Sequence, residues 1–318
     1  MRELVVGVDL GATKVLTGIA TIQGNLLSKV KFSTDCKQKN ATEILDNISN
    51  SIDKIIKDNV TIRDRISGII VATPGPLKYP EAIVMDSPNL GWGQVFLKEE
   101  LSQRLGRPVI VDKDTNIAAL GEYYFGQGCQ YSQLLYITIS TGIGGGIIIN
   151  GRIHHGSNGG AGEFGHMVIK PDGPICRCGR RGCLEALASG TAIAREAVQL
   201  IKQEKGQGIL ACSKGKKIEA REVGEAARKG DIKARTIILD AAEYIGIGVA
   251  NLVNIFNPQI VVLGGGVAVG LEDLLLEPVR EHVYKNVFAL HKQNLKIEVS
   301  KLGNAVGLWG CIAVAARG

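Results

Sequence analysis

The chain is poor in aromatic residues, 5% of its 318 positions, and in proline, with nine. It contains no G-x-x-x-x-G-K-[ST] string, which excludes a P-loop nucleotide site. No apolar run approaches the roughly 20 residues that span a bilayer. The opening MRELVVGVDLGATK reaches Asp9 too soon to hold the long apolar stretch of a secretory leader. A cytoplasmic protein without a membrane partner is expected, in which the N-x-T asparagines Asn40 and Asn59 carry no glycan. Charge of one sign is scarce too. Against 37 Lys and Arg stand 31 Asp and Glu, a formal +6 that favours an anionic ligand but is too small to argue for nucleic acid.

Glycine is what the chain has in excess: 41 residues, about 13% against a usual share of about 7%. The glycines follow no three-residue period, so a collagen-like chain is excluded, and an apolar content of 45% is that of a globular core. Leu4–Asp9 reads as a strand, Gly11–Lys14 as a polar turn, Val15–Ala20 as the returning strand and Leu26–Phe32 as a third. Ile44, Ile48, Ile52, Ile55 and Ile56 mark a helix over Ala41–Lys57. Ile66–Ala72 and Val109–Val111 are strands, and Thr115–Phe125 is a helix. The second half repeats the opening, with a strand at Leu134–Ile139, a glycine-rich turn at Ser140–Gly146 and a returning strand to Ile149. Asn150-Gly151 then signals a type I′ hairpin. Helices are expected over Gly190–Lys205, Ala220–Lys229, Ile232–Phe256 and Leu271–Asn286, a buried strand over Ile260–Leu263, and finally a strand at Leu295–Val299 and a helix at Ala305–Ala316. Two strand–turn–strand units in successive halves predict a duplicated α/β architecture, two lobes around a cleft. The small lobe would span 1–114, with the C-terminal helix 303–318 packing back on it; the large lobe would span 115–302.

Each turn has the composition of a phosphate site. Gly11 lets backbone approach a phosphate closely, Thr13 and Lys14 offer a hydroxyl and a positive charge, and Asp9 is placed to hold Mg²⁺ directly or through water. Thr141, Gly142 and Gly144 in the matching turn supply consecutive backbone N–H groups for an anion nest. Two ordinary hairpins are the plainer reading, and the pairing of both turns in matching context weighs against it. Gly264, Gly265 and Gly266 follow a strand and precede a helix, where a nucleotide would meet bare backbone or the chain would merely turn tightly. A G-x-G-x-x-G string at Gly160, Gly162 and Gly165 neither follows a strand nor opens an apolar helix, so it is not a dinucleotide fingerprint.

Cys176, Cys178 and Cys183 place three thiols in eight residues, with His166 ten residues upstream. Three thiolates and an imidazole suit tetrahedral Zn²⁺, and four protein ligands make the site structural. An odd number of thiols in a cytoplasmic chain argues against a disulfide. Cys36, Cys129, Cys212 and Cys311 are scattered, ordinary thiols. Asp114, where a strand meets a helix, is either a helix cap or a base for a substrate hydroxyl. Glu163 and Glu185 flank the cysteine segment and are either surface acids or a grip on the neighbouring hydroxyls of a polyol. Asn89 and Trp92, in the turn that begins at Pro88, form either a sugar-binding edge or a turn with a packed Trp. His154 and His155 are expected in a solvated loop.

These strings together resemble the ROK family of sugar kinases and repressors, and within it the glucokinase-type enzymes. The resemblance covers essentially the whole chain. It rests on VGVDLGATK (6–14), ATPGP (72–76), SPNLGW (87–92), DKDTNIAALGE (112–122), STGIGGGI (140–147), AGEFGHM (161–167), CRCGRRGCLEALASG (176–190) and VLGGGVA (262–268). It implies the actin-like ATPase fold, built of duplicated ribonuclease-H-like lobes, and ATP- and Mg²⁺-dependent phosphorylation of a hexose, foremost glucose at its 6-hydroxyl. It implies Asp114 as catalytic base, with Asn89, Glu163, His166 and Glu185 as sugar contacts and Gly75 beside them. Asp9, Gly11, Thr13, Lys14, Thr141, Gly142 and Gly144 would meet the phosphates and Gly264–Gly266 the adenosine. His166, Cys176, Cys178 and Cys183 would bind structural Zn²⁺, and a homodimer or homotetramer is usual. Where the family usually has Asn before the catalytic Asp, this chain has Lys113, which implies either a looser specificity for glucose or a different partner for one sugar hydroxyl. Fructose, mannose, allose or an N-acetylhexosamine are alternative substrates, and a non-catalytic sugar sensor is the alternative function. The family's repressors carry a DNA-binding segment ahead of the first motif, and only Met1–Val6 precede Gly7 here.

Overall fold

The computed structural model describes residues 3–36, 38, 40–58, 65–87 and 89–316, so Pro88 and Asn59 lie outside the described residues. Seven strands come first: β1 (Leu4–Leu10), β2 (Lys14–Thr21), β3 (Leu26–Ser33), β4 (Ile66–Thr73), the two-residue strands β5 (Leu77–Lys78) and β6 (Ile83–Val84), and β7 (Val109–Lys113). Five form one sheet in the order β3-β2-β1-β4-β7. β1 pairs antiparallel with β2 and parallel with β4, and β7 runs parallel to β4. Val5, Val6 and Val8 of β1 are wholly buried, as a central strand covered on both faces requires. The edge strand β3 buries none of its eight residues fully and carries Lys29 and Lys31, a composition that blunts an open edge. Helix α1 (Ala41–Lys57) has the bounds that its isoleucine spacing predicts. It starts at a capping box in which Asn40 Oδ1 accepts from Glu43 N, and Glu43 Oε2 from Asn40 N, both at 2.9 Å. α2 (Leu97–Leu105) and α3 (Asp114–Phe125) flank β7 in sequence.

The second sheet contains β8 (Leu134–Ile139), β9 (Ile143–Ile149), β10 (Arg152–Ile153), β11 (Ile260–Gly264) and β12 (Lys296–Val299), in the order β10-β9-β8-β11-β12. Taken strand for strand, this is the order of the first sheet, with β11 and β12 parallel to β8 and its neighbour as β4 and β7 are to β1 and theirs. Asn150 and Gly151 have φ of 51° and 72° between paired Ile149 and Arg152, the two-residue turn expected of Asn-Gly. The remaining helices are α4 (Leu184–Ala188), α5 (Gly190–Lys202), α6 (Gln207–Ser213), α7 (Ala220–Arg228), α8 (Ile232–Phe256), α9 (Gly265–Gly270), α10 (Glu272–Asn286), α11 (Ala289–Lys292) and α12 (Val306–Ala315). α8 is long and apolar enough by length and composition to cross a membrane, and 61% of that stretch is buried within the fold.

The chain divides into two compact units, one of residues 1–130, 146–162 and 304–318, the other of 131–145 and 163–303. In the first, α12 packs against α3 and β1; Gly310 lies so close to α3 that a Cβ there would sit 1.8 Å from Ile117 O. One expectation fails in the second sheet. The glycine-rich turn is confined to Ser140–Gly142, and Gly144–Gly146 belong to β9. There the missing side chains make room for neighbours, since a Cβ on Gly145 would meet Phe164 Cδ2 at 2.1 Å.

Candidate active site

In the first unit, the turn between β1 and β2 closes on itself where Gly11 N donates to Lys14 O at 2.9 Å. The end of β3 braces it. Thr34 Oγ1 donates to Gly11 O at 2.7 Å, Thr34 N to Thr13 O at 3.1 Å, and Cys36 Sγ to Ala12 O at 3.3 Å. With its carbonyls so held, the turn leaves the Thr13 side chain exposed and Lys14 half-buried. Asp9 lies against the first turn of α12, its Cγ 2.7 Å from where a Cβ on Gly307 would be. Burial raises the Asp9 carboxyl above its ordinary value, and Lys14 opposes the rise.

Asp114 is the first residue of α3 and is half-buried; its Oδ1 accepts from Thr115 N at 2.7 Å. The first turn of α3 is held chiefly by its neighbour Asp112, whose Oδ1 accepts from Lys113 N at 2.7 Å and from Asn116 Nδ2 at 2.9 Å. Asp112 Oδ2 lies 2.8 Å from His155 Nε2, and the His155 ring stacks on Tyr79 at 3.7 Å and 9°. The expectation of a solvated loop therefore holds for His154, which is exposed, and fails for His155, whose side chain is 19% exposed. Lys113 is buried, donates from Nζ to Ala161 O at 2.7 Å and lies beside Gly75. Consecutive residues at the end of β7 thus hold both ends of the 155–161 loop. Nothing in the sequence marked this pairing, because Asp112 and His155 are 43 residues apart and meet only through their side chains in the fold. Asn89 is exposed in the turn that pairs Ser87 with Trp92, and Trp92 is packed in the core.

In the second unit, the turn between β8 and β9 closes where Ser140 N donates to Gly142 O at 2.9 Å. Glu185 reaches it: Glu185 Oε2 accepts from Ile143 N at 2.9 Å and would lie 2.3 Å from a Cβ on Gly142. Thr141 is exposed. Gly264 ends β11, packed on Tyr136, and Gly265, with φ of 86°, opens α9 directly, so this third glycine group joins strand to helix without a loop. Glu163 is exposed at the start of the short 3₁₀ turn Phe164–His166 that carries His166.

His166, Cys176, Cys178 and Cys183 converge, with their ligand atoms all within 4.8 Å of one another. Atoms held tetrahedrally at about 2.3 Å from one ion stand about 3.8 Å apart. Cys178 Sγ and Cys183 Sγ are 3.6 Å apart, and Cys176 Sγ and His166 Nδ1 3.8 Å, so the cluster fits one ion. The loop is tied by Cys176 N to Arg180 O (2.7 Å) and Gly182 N to Pro174 O (2.9 Å). Gly182 has φ of 69°, and a Cβ there would sit 1.6 Å from Lys170 O, so only glycine fits. The Arg180 backbone N–H lowers the Cys178 thiol to about 6, whereas burial raises Cys176 and pushes Cys183 up to about 12. The scattered thiols Cys36, Cys129, Cys212 and Cys311 are free.

The ROK family profile matches residues 5–317. A glucokinase of Halalkalibacterium halodurans is 37% identical over 96% of this chain and 92% of its own length. A xylose repressor of Caldicellulosiruptor bescii is 35% identical over 98% of this chain and 77% of its own. Among solved structures, a ROK family glucokinase from Streptomyces griseus, in complex with glucose and AMPPNP, matches with a TM-score of 0.85 at 34% identity, covering 99% of this chain and 100% of that one. The expected actin-like ATPase fold, with its duplicated sheet, is thereby established.

Proposed function

The chain belongs to the ROK family, and from its site we propose that it is an ATP-dependent hexose kinase that phosphorylates glucose at the 6-hydroxyl. The observation that carries this reading is Asp114, a half-buried carboxylate at the first turn of α3, in a chain that also retains both phosphate-type turns. In this reading Asn89, Glu163, His166 and Glu185 hold the sugar ring through its hydroxyls, beside Gly75. Asp114 accepts the 6-hydroxyl proton as that oxygen attacks the γ-phosphorus; the bond from phosphorus to the bridging oxygen breaks and ADP leaves with the electron pair. Lys14, Thr13 and the backbone N–H groups of both turns offset charge on the phosphates, and the bare backbone at Gly264–Gly266 takes the adenosine. Asp9 is the carboxylate that would hold Mg²⁺, which would offset phosphate charge; a buried carboxyl raised above its ordinary value would gain a counter-ion by doing so.

The Cys/His cluster holds Zn²⁺ in this reading, with all four positions filled by protein, so the ion cross-links the loop and activates no water. Sugar-responsive regulation is the second reading, favoured by a xylose repressor at 35% identity. The two part at Asp114, which binding alone does not need. Asp114→Asn is expected to lower kcat by about 10²- to 10⁴-fold while glucose affinity stays within a few-fold. Near-normal turnover by this variant would remove Asp114 as the base.

A further inference from the structure

The two phosphate-type turns occupy the same place in sheets of the same strand order, yet their supports differ. β3 pairs with β2 from Lys14 to Ala20, Lys14 opposite Ser33, and the residues just beyond it grip the first turn. The corresponding strand of the second sheet, β10, is two residues long and pairs only with Ile148 and Ile149, the end of β9 away from the turn. The second turn is gripped instead by the segment that leaves the Cys/His cluster. Ile143 N donates to Glu185 Oε2 at 2.9 Å, Gly190 N to Ser140 O at 2.8 Å, and Thr191 Oγ1 to Thr141 O at 2.7 Å. Cys183 is itself the N-cap of α4, two residues before Glu185, and Ser189 caps α5 just ahead of Gly190 and Thr191.

A trans peptide directs its C=O and N–H to opposite sides. With Ser140 O and Thr141 O fixed towards α5, the N–H groups of Thr141 and Gly142 must face away from it, the direction from which an anion can be cradled. Released from those bonds, either peptide plane is free to rotate and withdraw its donor. We infer that the Cys/His metal centre and the α4–α5 segment are the frame of the second phosphate turn. Thr191 acts as a positioning residue for it, and metal and nucleotide bind with positive coupling. The inference rests on the reading that this turn meets nucleotide phosphate. Coupling of this kind is reciprocal, so whatever factor the metal adds to nucleotide affinity, the nucleotide adds to metal affinity.

The test uses the full chain and MgADP, without turnover. By titration calorimetry, Thr191→Val is expected to weaken MgADP binding about three- to tenfold, corresponding to the loss of one hydrogen bond, at unchanged metal content. Thr191→Ser, which keeps the hydroxyl, is expected to bind within twofold of the parent. In competition with a chelator, saturating MgADP is expected to raise metal retention by at least about fivefold. Parental MgADP affinity in Thr191→Val, or metal retention indifferent to MgADP, overturns the inference. Gly142→Ala identifies which step has failed. If it too binds MgADP normally, the turn is no phosphate site; if it binds weakly while Thr191→Val does not, the turn meets nucleotide but the hold of Thr191 on Thr141 does not position it.

Discussion

The first turn is held by its own neighbourhood, and the second by a segment more than 40 residues further along the chain. Thr34 and Cys36 lie 23 and 24 residues from Gly11 and Ala12, whose carbonyls they hold, just past the end of a strand that already pairs with β2. Glu185, Gly190 and Thr191 reach Ser140–Ile143 from beyond the cysteine loop, where Cys176 and Cys183 cluster with Ala186. The duplicated topology is kept while the means of bracing is not. Where the third strand shrinks to two residues, Glu185, Gly190 and Thr191, on the segment that follows the Cys/His cluster, hold the turn instead. The second turn should therefore depend on the loop's integrity, and the first should not.

Substitutions can break this contrast in graded steps. The largest effect is expected from Gly182→Ala, which sets a Cβ 1.6 Å from Lys170 O at positive φ; the loss of stability should be on the order of 4 kcal/mol, read as a lowered melting temperature with loss of bound metal. Next comes Gly142→Ala, whose Cβ would meet Glu185 Oε2 at 2.3 Å, expected to cost about 1–3 kcal/mol. The same change at Gly11 meets nothing nearer than Lys14 O at 3.0 Å and should cost under about 1 kcal/mol, so denaturant midpoints of the two variants measure the asymmetry directly. Thr34→Val removes one hydrogen bond from the first turn and should cost about 1 kcal/mol, equally with and without a chelator.

The smallest effect concerns pH. Asp9 has a raised carboxyl in the folded chain, so the folded state binds more protons than the unfolded one above about pH 4, and stability falls as pH rises through that window. Asp9→Asn should raise the melting temperature of the nucleotide-free protein at pH 7, with the gain shrinking towards pH 4, while weakening MgADP binding. A gain that does not depend on pH would mean that burial of the charge is not its cause.

Much of the architecture could be read from apolar periodicity. The isoleucines of α1 and the long apolar pattern of α8 give the bounds Ala41–Lys57 and Ile232–Phe256, and Asn150-Gly151 gives its turn. Periodicity needs length, so β5, β6 and α4 escape it, and α2, with only Leu97 and Leu101 buried, shows too narrow a stripe. Glycine misleads at Gly144–Gly146, where its small size serves packing within a strand and not a bend. Of the candidate site, the Cys/His spacing announces its own convergence, because three thiols in eight residues with an upstream imidazole are the ligand set of one tetrahedral ion. The Asp112–His155–Tyr79 contacts, and the hold of Thr191 on Thr141, carry no such mark. Each joins residue types common in loops over a long stretch of chain, and only the fold brings them into register.

The most direct test of the central reading is ADP formation by the metal-loaded protein with MgATP over a panel of glucose, mannose, fructose, allose and N-acetylglucosamine. Sugar-dependent ADP release is expected, with the highest kcat/KM for glucose and glucose 6-phosphate as the product. Binding of glucose without ADP release would contradict that reading.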